Sequence, residues 1–177
     1  MEDLYDGRQY ICARLRFLQG MCDRDGRTAL HMLVKEPRYM HSRNLIHLFT
    51  NQTANIQDKD GNNALMTCIY AKRYDLIEDL LNKCDLNTQN AEGYTAMHLL
   101  CIQDAPCQLI IDLHVRGANL NSKDGLGNIP LYYAAKVQNK SVCKYLLEHN
   151  AEWFSKNKEN EYALHYASAS LHELLFR

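Results

Sequence analysis

The chain has 177 residues, of which 46% are apolar, so it is long enough to bury a core without disulfide cross-links. Its 20 Lys and Arg residues are balanced by 21 Asp and Glu residues, which argues against direct binding to nucleic acid or to an anionic membrane. The seven cysteines contain no C-x-x-C pair, which favours a reducing compartment and an intracellular protein of the cytoplasm or nucleus.

The first predicted element is a helix that ends before residue 20. The N-terminal residues M-E-D-L-Y-D-G-R are polar and acidic, unlike a secretory signal, and no apolar run approaches the roughly 20 residues of a membrane span. Farther along, Ile11, Leu15 and Leu18 recur at helical spacing. We therefore expect residues 1–20 to form an N-terminal capping helix that covers the end of the structure that follows.

A nine-residue segment then recurs five times along the chain. Its copies are D-R-D-G-R-T-A-L-H at 23–31, D-K-D-G-N-N-A-L-M at 58–66, N-A-E-G-Y-T-A-M-H at 90–98, D-G-L-G-N-I-P-L-Y at 124–132 and N-K-E-N-E-Y-A-L-H at 157–165. The fourth position of the copies, at 26, 61, 93, 127 and 160, recurs after 35, 32, 34 and 33 residues. A constant period of this length indicates a repeat architecture.

Each copy contains the residues of a tight turn followed by a helix. The fourth position is Gly or Asn, which tolerate a positive φ best, and the Asp or Asn three residues earlier can bond its own backbone. Thr28 and Thr95 are placed to cap the helix that follows. Asn63, Ile129 and Tyr162 stand at this position in the other copies, where we expect the cap to be lost.

The segments after the turns predict pairs of short helices. The first helix of each pair is apolar, as in A-M-H-L-L-C-I at 96–102, and the second has apolar residues three and four apart, as in V-C-K-Y-L-L at 142–147. Pro37 must end the first helix of the first copy and predicts an enlarged loop after it. Trp153, in the linker before the fifth copy, is expected to pack between neighbouring copies of the repeat.

The period and the pattern D/N-x-x-G-x-T-P/A-L-H resemble the ankyrin repeat over residues 21–177. The resemblance implies an all-α ankyrin-repeat solenoid of five helix-turn-helix units with short β-hairpin fingers. The units would cover about 21–55, 56–87, 88–121, 122–154 and 155–177. The resemblance also implies that neighbouring units are connected by hydrogen bonds of His31, His98 and His165. The joints would be looser where Met66 and Tyr132 replace this histidine.

The residues offer no catalytic chemistry. The sequence contains no phosphate-binding loop, nucleophile elbow, dinucleotide fingerprint or H-E-x-x-H motif. The eight histidines form no pair with cysteine or carboxylate at zinc-like spacing. The cysteines at 68, 84, 101 and 143 stand where small buried hydrophobes are required. We therefore predict a non-enzymatic protein with no catalytic residue, no cofactor and no metal site.

Function is instead expected at a protein-binding surface. In ankyrin proteins the fingers and the exposed side of the first helices form a concave face that commonly binds partners. On this face we predict as partner-binding residues Arg24, Arg27, Lys59, Asn62, Tyr70, Lys72, Arg73, Glu92, Tyr94, Ile102, Gln103, Leu126, Asn128, Lys136 and Val137. Tyr70, Arg73 and Tyr94 are the expected anchors, because Tyr and Arg contribute most to many interfaces.

The final copy is also similar to a narrower group. S-K-N-K-E-N-E-Y-A-L-H at 155–165 resembles the closing repeat of inhibitor-of-NF-κB proteins, especially their atypical nuclear members. This implies a regulator of signalling or transcription, monomeric by itself, whose partner is a Rel-type transcription factor or a signalling adaptor. The alternative is a targeting or substrate-recruiting ankyrin domain of a larger enzyme, or of a viral or bacterial protein that mimics a host protein.

Overall fold

The computed structural model of the chain describes residues 20–36 and 45–163. The expected capping helix, most of the loop after the first helix, and the helices of the fifth copy with His165 therefore lie outside the described residues. The described part is mostly helical and contains no sheet. Its β pairing consists of two isolated antiparallel bridges, Cys22 with Thr28 and Lys156 with Tyr162. The short β-hairpin fingers that the resemblance implies are therefore not confirmed in this part of the chain.

The structure divides into two compact units, Met1–Asp85 and Leu86–Arg177. The division lies two residues before the boundary that the sequence predicts between the second and third repeats. The helices of the first unit are α1 (Ala29–Lys35), α2 (Asn51–Ala54), α3 (Ala64–Tyr70) and α4 (Ile77–Leu81), the last preceded by a 3-10 turn, Tyr74–Leu76. The helices of the second unit are α5 (Ala96–Ile102), α6 (Cys107–Val115), α7 (Pro130–Lys136) and α8 (Lys140–Glu148).

Each unit builds its core by packing helices of consecutive copies together. In the first unit α1 packs on α3 and α3 packs on α4, and in the second unit α5 packs on α7 while α6 and α7 both pack on α8. Fully buried side chains at these contacts include Leu30, Leu65 and Leu80 in the first unit and Met97 and Ile110 in the second. Each such side chain contributes roughly 1.5–3 kcal/mol by leaving water.

The first helices begin where the sequence predicts, with one difference in how they are capped. Thr28 and Thr95 have extended backbone at the N-cap of α1 and α5. The expectation that Asn63 does not cap its helix was wrong, because its Oδ1 accepts a hydrogen bond from the Met66 N–H at 3.0 Å. Asn is in fact among the best N-cap residues. Ile129 provides no side-chain cap, and α7 begins instead with Pro130, whose missing N–H costs nothing there.

The predicted tight turn forms in all five copies with the same hydrogen bonds. In the first copy the Asp23 Oδ1 accepts the N–H groups of Asp25 at 2.8 Å and Arg27 at 2.9 Å. The backbone N–H of Gly26 also donates to the Asp23 carbonyl at 3.0 Å. The residues that take the place of Asp23 in the later copies are Asp58, Asn90, Asp124 and Asn157. The Asx side chain therefore defines the turn, as its position in the period suggested.

Candidate functional site

Two buried histidines connect consecutive copies within the units. His31 Nδ1 accepts the Thr28 N–H at 3.2 Å, so the proton lies on Nε2, which donates to the Asn62 carbonyl at 3.0 Å. His98 makes the same bonds to Thr95 at 3.2 Å and to the Asn128 carbonyl at 3.1 Å. The predicted role of these two histidines is confirmed. Burial lowers the pKa of both imidazoles, which keeps them neutral.

The joint at Tyr132, where the connecting histidine is absent, has a hydrogen bond of another kind. The Tyr132 side chain is only 6% exposed, and its hydroxyl donates to Glu161 Oε2 at 3.2 Å. This bond links the fourth copy to the fifth copy within the second unit. That the joints at Tyr132 and Met66 are looser stays a prediction.

The tips of consecutive turns are also joined backbone to backbone. The N–H of Lys59 donates to the Asp25 carbonyl at 2.8 Å, that of Gly125 to the Glu92 carbonyl at 2.8 Å, and that of Lys158 to the Leu126 carbonyl at 2.9 Å. The donor and acceptor hold the same positions of the repeat in each pair. The tips within a unit are therefore fixed in register, and they form an ordered platform for the side chains they carry.

A set of asparagines that the sequence analysis missed provides a third connection. Asn87 accepts the Asn119 N–H at 2.8 Å through Oδ1 and donates to the Gly117 carbonyl at 3.2 Å through Nδ2. Asn55 and Asn121 bond the following copy in the same way. Each of these asparagines lies three residues before the Asp or Asn of a turn. Their constant place in the period was the signal that could have identified them.

A surface groove of the first unit brings together several residues of the predicted face. The groove has a volume of about 330 Å³ and is lined by Arg27, Lys35, Asp58, Asp60, Asn62, Thr67, Tyr70 and Ala71. Lys35 was not predicted from the sequence, although this residue ends α1 at the repeat position that Tyr70 holds at the end of α3. The Tyr70 side chain is 45% exposed, so the groove offers aromatic surface to a partner.

Charges of both signs surround this groove. Arg27 and Lys59 both pair with Asp25, at 2.9 Å and 2.7 Å respectively. The hydrogen bond from Lys59 holds the pKa of the Asp25 carboxyl below its usual value. Within the described residues, the ammonium of Lys35 and the carboxylate of Asp60 form no hydrogen bond or ion pair.

The first unit places two other predicted residues differently from expectation. Arg73, an expected anchor, makes a bidentate ion pair with Asp75, with both N–O distances 3.0 Å, and donates to the Glu36 carbonyl at 3.2 Å. It therefore holds the end of α1 against the turn after α3. Asn62 is only 8% exposed, and its backbone carbonyl accepts the His31 hydrogen bond. Arg24 and Lys72 are exposed, as expected.

In the second unit, Tyr94 and Asn128 belong to an internal polar network. The Tyr94 ring packs edge-on against Tyr133 with centroids 5.7 Å apart, and the two hydroxyl oxygens lie 3.3 Å apart. Tyr133 donates to the Asp124 carboxylate, and its burial together with that acceptor raises its pKa. Asn128, which is 4% exposed, donates to the Tyr133 hydroxyl at 3.2 Å. Asn128 is thus buried and not presented to solvent at a turn tip as expected, whereas Tyr94 is half-buried.

The remaining predicted residues of the second unit are more accessible than Asn128. Ile102 and Gln103 are half-buried, whereas the exposed residues are Glu92, Leu126, Lys136 and Val137. Trp153 is 42% exposed and packs edge-on against Phe154, with the ring centroids 5.6 Å apart. The prediction that Trp153 is packed between neighbouring copies of the repeat was therefore wrong.

Four cysteines are buried as the repeat pattern predicts. Burial raises the pKa of Cys84 and Cys143 to about 12, and it raises the pKa of Cys68 and Cys101 as well. A thiol is nucleophilic only as the thiolate, so these side chains are inert at neutral pH. They act as small hydrophobes within the helix packing.

A tight turn, a helix pair and a connecting histidine, repeated at a constant period, define a helical repeat protein. The family model described as Ankyrin repeats (3 copies) matches residues 7–90, 70–157 and 103–176. The chain therefore belongs to the ankyrin-repeat family, whose repeats generally mediate protein–protein interaction. None of the described helices is long and apolar enough to cross a membrane.

Several known proteins are similar to this chain over part of their length. Neurogenic locus notch homolog protein 1 of Mus musculus is 30% identical over 146 residues, which are 81% of this chain and 6% of that protein. L-asparaginase of Dirofilaria immitis is 27% identical over 157 residues, which are 88% of this chain and 26% of that protein. An ankyrin repeat protein of Acanthamoeba polyphaga mimivirus is 34% identical over 98 residues, or 54% and 24% respectively. The chain thus spans a minor part of each relative.

Proposed function

We propose that this chain is a non-enzymatic module of five ankyrin units that binds a partner protein through its finger-like turns and first helices. In the first unit the binding site is the groove at Tyr70 between the turn tips and the ends of α1 and α3. In the second unit it consists of the exposed turn tips, the half-buried end of α5 and the exposed end of α7. The observation that carries the proposal is the groove itself, in which exposed aromatic surface lies beside charges without ion-pair partners among the described residues.

The charges of the groove favour a partner that carries both signs. A carboxylate of the partner can pair with Lys35, and a cation can pair with Asp60, without breaking any hydrogen bond or ion pair among the described residues. Tyr70 supplies rigid apolar contact area next to these charges. Complementary charges of this kind increase the association rate and the specificity of an interface more than its affinity.

The predicted face divides into contacting residues and supporting residues. We propose that the partner contacts Arg24, Arg27, Lys59, Tyr70, Lys72, Glu92, Ile102, Gln103, Leu126, Lys136 and Val137. We propose a positioning role for four others, whose side chains or carbonyls hold internal bonds, namely Asn62, Arg73, Tyr94 and Asn128.

A narrower proposal concerns the identity of the partner. The likeness of residues 155–165 to the closing repeat of inhibitor-of-NF-κB proteins supports an intracellular regulator of signalling or transcription that binds a Rel-type factor or a signalling adaptor. Within this segment Asn157 forms the repeat turn, and a bridge joins Lys156 to Tyr162. This part of the proposal rests on that segment alone.

The experiment compares proteins captured from cells by the wild-type chain and by a double variant, Lys35→Glu with Tyr70→Ala. We expect binding of the specific partner to fall by at least about thirtyfold, since loss of one interface hot spot costs roughly 2 kcal/mol or more. Quantitative mass spectrometry then identifies the protein that is lost. The presence of a Rel-type factor or a signalling adaptor among the lost proteins supports the narrower proposal, and the loss of unrelated proteins contradicts it.

The matched control is Lys144→Glu, which reverses the charge of another exposed lysine, one that lies on α8. The only ion pair seen for Lys144 among the described residues is with Glu148, at 3.8 Å, and such exposed pairs contribute little to stability. This variant should capture the same proteins as the wild type. If the groove variant also captures them unchanged, and both variants melt at the wild-type temperature, the groove is not the binding site.

A further inference from the structure

Three of the turns carry an Asp–Gly pair in nearly the same local sequence. The pairs are Asp25–Gly26, Asp60–Gly61 and Asp124–Gly125, and each follows an Arg or a Lys, whereas a fourth pair, at 6–7, lies outside the described residues. An aspartate before a glycine cyclises readily, because glycine has no Cβ to hinder attack of its backbone nitrogen on the preceding side chain. Since the three local sequences are alike, a difference in reactivity among these pairs must come from the fold.

The first difference concerns the peptide plane between the two residues, which must rotate before the ring can close. In the first and second turns the glycine N–H donates to the carbonyl of the first turn residue, at 3.0 Å and 2.9 Å respectively. On the other edge of the plane, the Asp25 carbonyl also accepts the Lys59 N–H at 2.8 Å. The Asp60 carbonyl accepts no hydrogen bond from any residue that the structure describes. Rotation therefore breaks two bonds at Asp25 and one at Asp60.

The second difference concerns the two carboxylates. That of Asp25 pairs with Lys59 at 2.7 Å and with Arg27 at 2.9 Å. The hydrogen bond from Lys59 lowers the pKa of Asp25, so the protonated carboxyl, from which water can leave, is rarer there. Asp60 is exposed, and its carboxylate has no hydrogen bond or ion pair within the described part of the chain. It can turn onto the nitrogen of Gly61 without breaking an interaction of its own.

The third pair is held more firmly than either of these. Asp124 is only 7% exposed, and its Oδ1 accepts the N–H groups of Leu126 and Asn128, both at 2.8 Å. Its other oxygen accepts the Tyr133 hydroxyl. The N–H of the glycine that follows is bonded to the neighbouring turn tip. Ring closure at Asp124 would break all of these bonds.

We propose that Asp60 is a modification site at which the folded chain converts aspartate to isoaspartate, in preference to Asp25 and Asp124. The Gly61 nitrogen attacks the carboxyl carbon of Asp60 and loses its proton, a C–N bond forms, and a carboxyl oxygen leaves as water. Water then opens the five-membered imide. Attack at the main-chain carbonyl leaves the backbone running through the side chain of residue 60. The water released in the first step balances the water consumed in the second.

Isomerisation would place one extra carbon in the backbone of the second turn. Asp58 closes this turn through its Oδ1, which accepts the N–H groups of Asp60 at 3.0 Å and Asn62 at 2.9 Å. The longer backbone displaces these bonds, and it also moves the Asp60 carboxylate, which lines the groove at Tyr70. The modification therefore alters the groove as the protein ages, but the reaction itself does not depend on the proposed protein-binding function.

The test incubates the intact wild-type chain at neutral pH in water enriched in ¹⁸O and maps its peptides by mass spectrometry. Each hydrolysis of the imide places one ¹⁸O atom on the aspartate, and electron-transfer fragmentation distinguishes the isoaspartyl backbone from the aspartyl backbone. We expect labelling at Asp60 to exceed that at Asp25 and Asp124 by at least about tenfold, because the latter two must break additional bonds. In urea, where the fold is lost, the three should be labelled at similar rates.

The matched control is Asp60→Glu, which keeps the charge but would need a six-membered imide that closes far less readily. Residue 60 should then stay unlabelled, while Asp25 and Asp124 behave as in the wild type. The main comparison uses only the wild-type chain, so it does not depend on the variant folding. Equal labelling of Asp25 and Asp60 in the folded wild type overturns the proposal. So does a folded wild type in which Asp60 stays unlabelled although it is labelled in urea.

Discussion

Gly93 combines a left-handed backbone conformation with a close approach of the next turn. Its φ is +84°, and a Cβ at this position would lie 2.5 Å from the backbone nitrogen of Gly125 and 2.9 Å from the carbonyl carbon of Asp124. Both atoms belong to the backbone and cannot rotate away. The turn tips come this close because the Gly125 N–H donates to the Glu92 carbonyl. The glycine is therefore required for two independent reasons.

We expect Gly93→Ala to lower the free energy of unfolding by about 2–4 kcal/mol, from backbone strain together with the displaced turn. Urea unfolding followed by circular dichroism measures this loss. Gly117→Ala is the matched control, because its φ is +95° but a Cβ there would meet no heavy atom within 4 Å apart from its own chain neighbours. It should lose only about 1 kcal/mol. Equal losses in the two variants would show that the contact between turn tips does not matter.

At the scale of elements, the asparagine connections join the end of one helix pair to the end of the next. Asn87 donates to the Gly117 carbonyl, which follows α6, and accepts the N–H of Asn119. These backbone groups lie in the linker beyond the helix, where no helical partner is available to them. The bidentate amide therefore fixes the linker of one copy against that of the preceding copy.

Replacement of Asn87 by Ala should cost about 1–2 kcal/mol of unfolding free energy, since two hydrogen bonds of ordinary strength are lost. Chemical unfolding of the intact chain measures it. Asn82→Ala is the comparison, because Asn82 is also exposed but makes no side-chain hydrogen bond among the described residues. That substitution should change stability by less than about 0.5 kcal/mol. A loss at Asn82 as large as that at Asn87 would contradict a structural role for the Asn87 amide.

The turns and first helices could be predicted from the sequence because their signals are local. An Asx residue, a Gly three residues later and an apolar run fix the register, as at Asp58 and Gly61. The cap of Asn63 is equally local, since Asn is a preferred N-cap residue, although the ankyrin pattern has Thr at this position. The consensus of a repeat therefore predicts where a helix begins better than it predicts which side chain caps it.

The environment of the candidate site could not be predicted in the same way. Arg73 donates to the carbonyl of Glu36, and Tyr94 packs against Tyr133, both more than thirty residues away in sequence. Such partners are set by how consecutive copies pack and not by the pattern within one copy. The position of Tyr70 on an exposed surface was predicted because exposure at the end of a first helix follows from the repeat register. Trp153 shows the converse, since a large apolar residue in a linker need not be buried.

At the scale of the whole molecule, the residues that the structure describes include one almost completely buried connecting histidine in each of the two compact units. His31 is 1% exposed and His98 is 0% exposed, and both use Nδ1 as an acceptor. A second proton would bind at this nitrogen, where it would face the backbone N–H of Thr28 or Thr95. Protonation therefore breaks the cap bond and leaves a charge in the core, and this applies to both units.

The stability of the chain should consequently fall in mild acid. The pKa of both imidazoles is lowered in the folded state from the ordinary value of 6.5, chiefly by burial, so the unfolded chain binds more protons below that pH. Stability is fully present above pH 6.5 and is lost as the pH falls below it, by up to about 1.4 kcal/mol per pH unit for each histidine. Urea unfolding between pH 8 and pH 5 measures the loss.

The lowered pKa of Asp25 affects stability only below its ordinary value of 3.8 and does not contribute in this range. His98→Gln should make the profile shallower, because one of the two buried imidazoles is then removed. A wild-type stability that stays constant from pH 8 to pH 5 would mean that the two buried imidazoles accept protons without cost, against the geometry of their bonds.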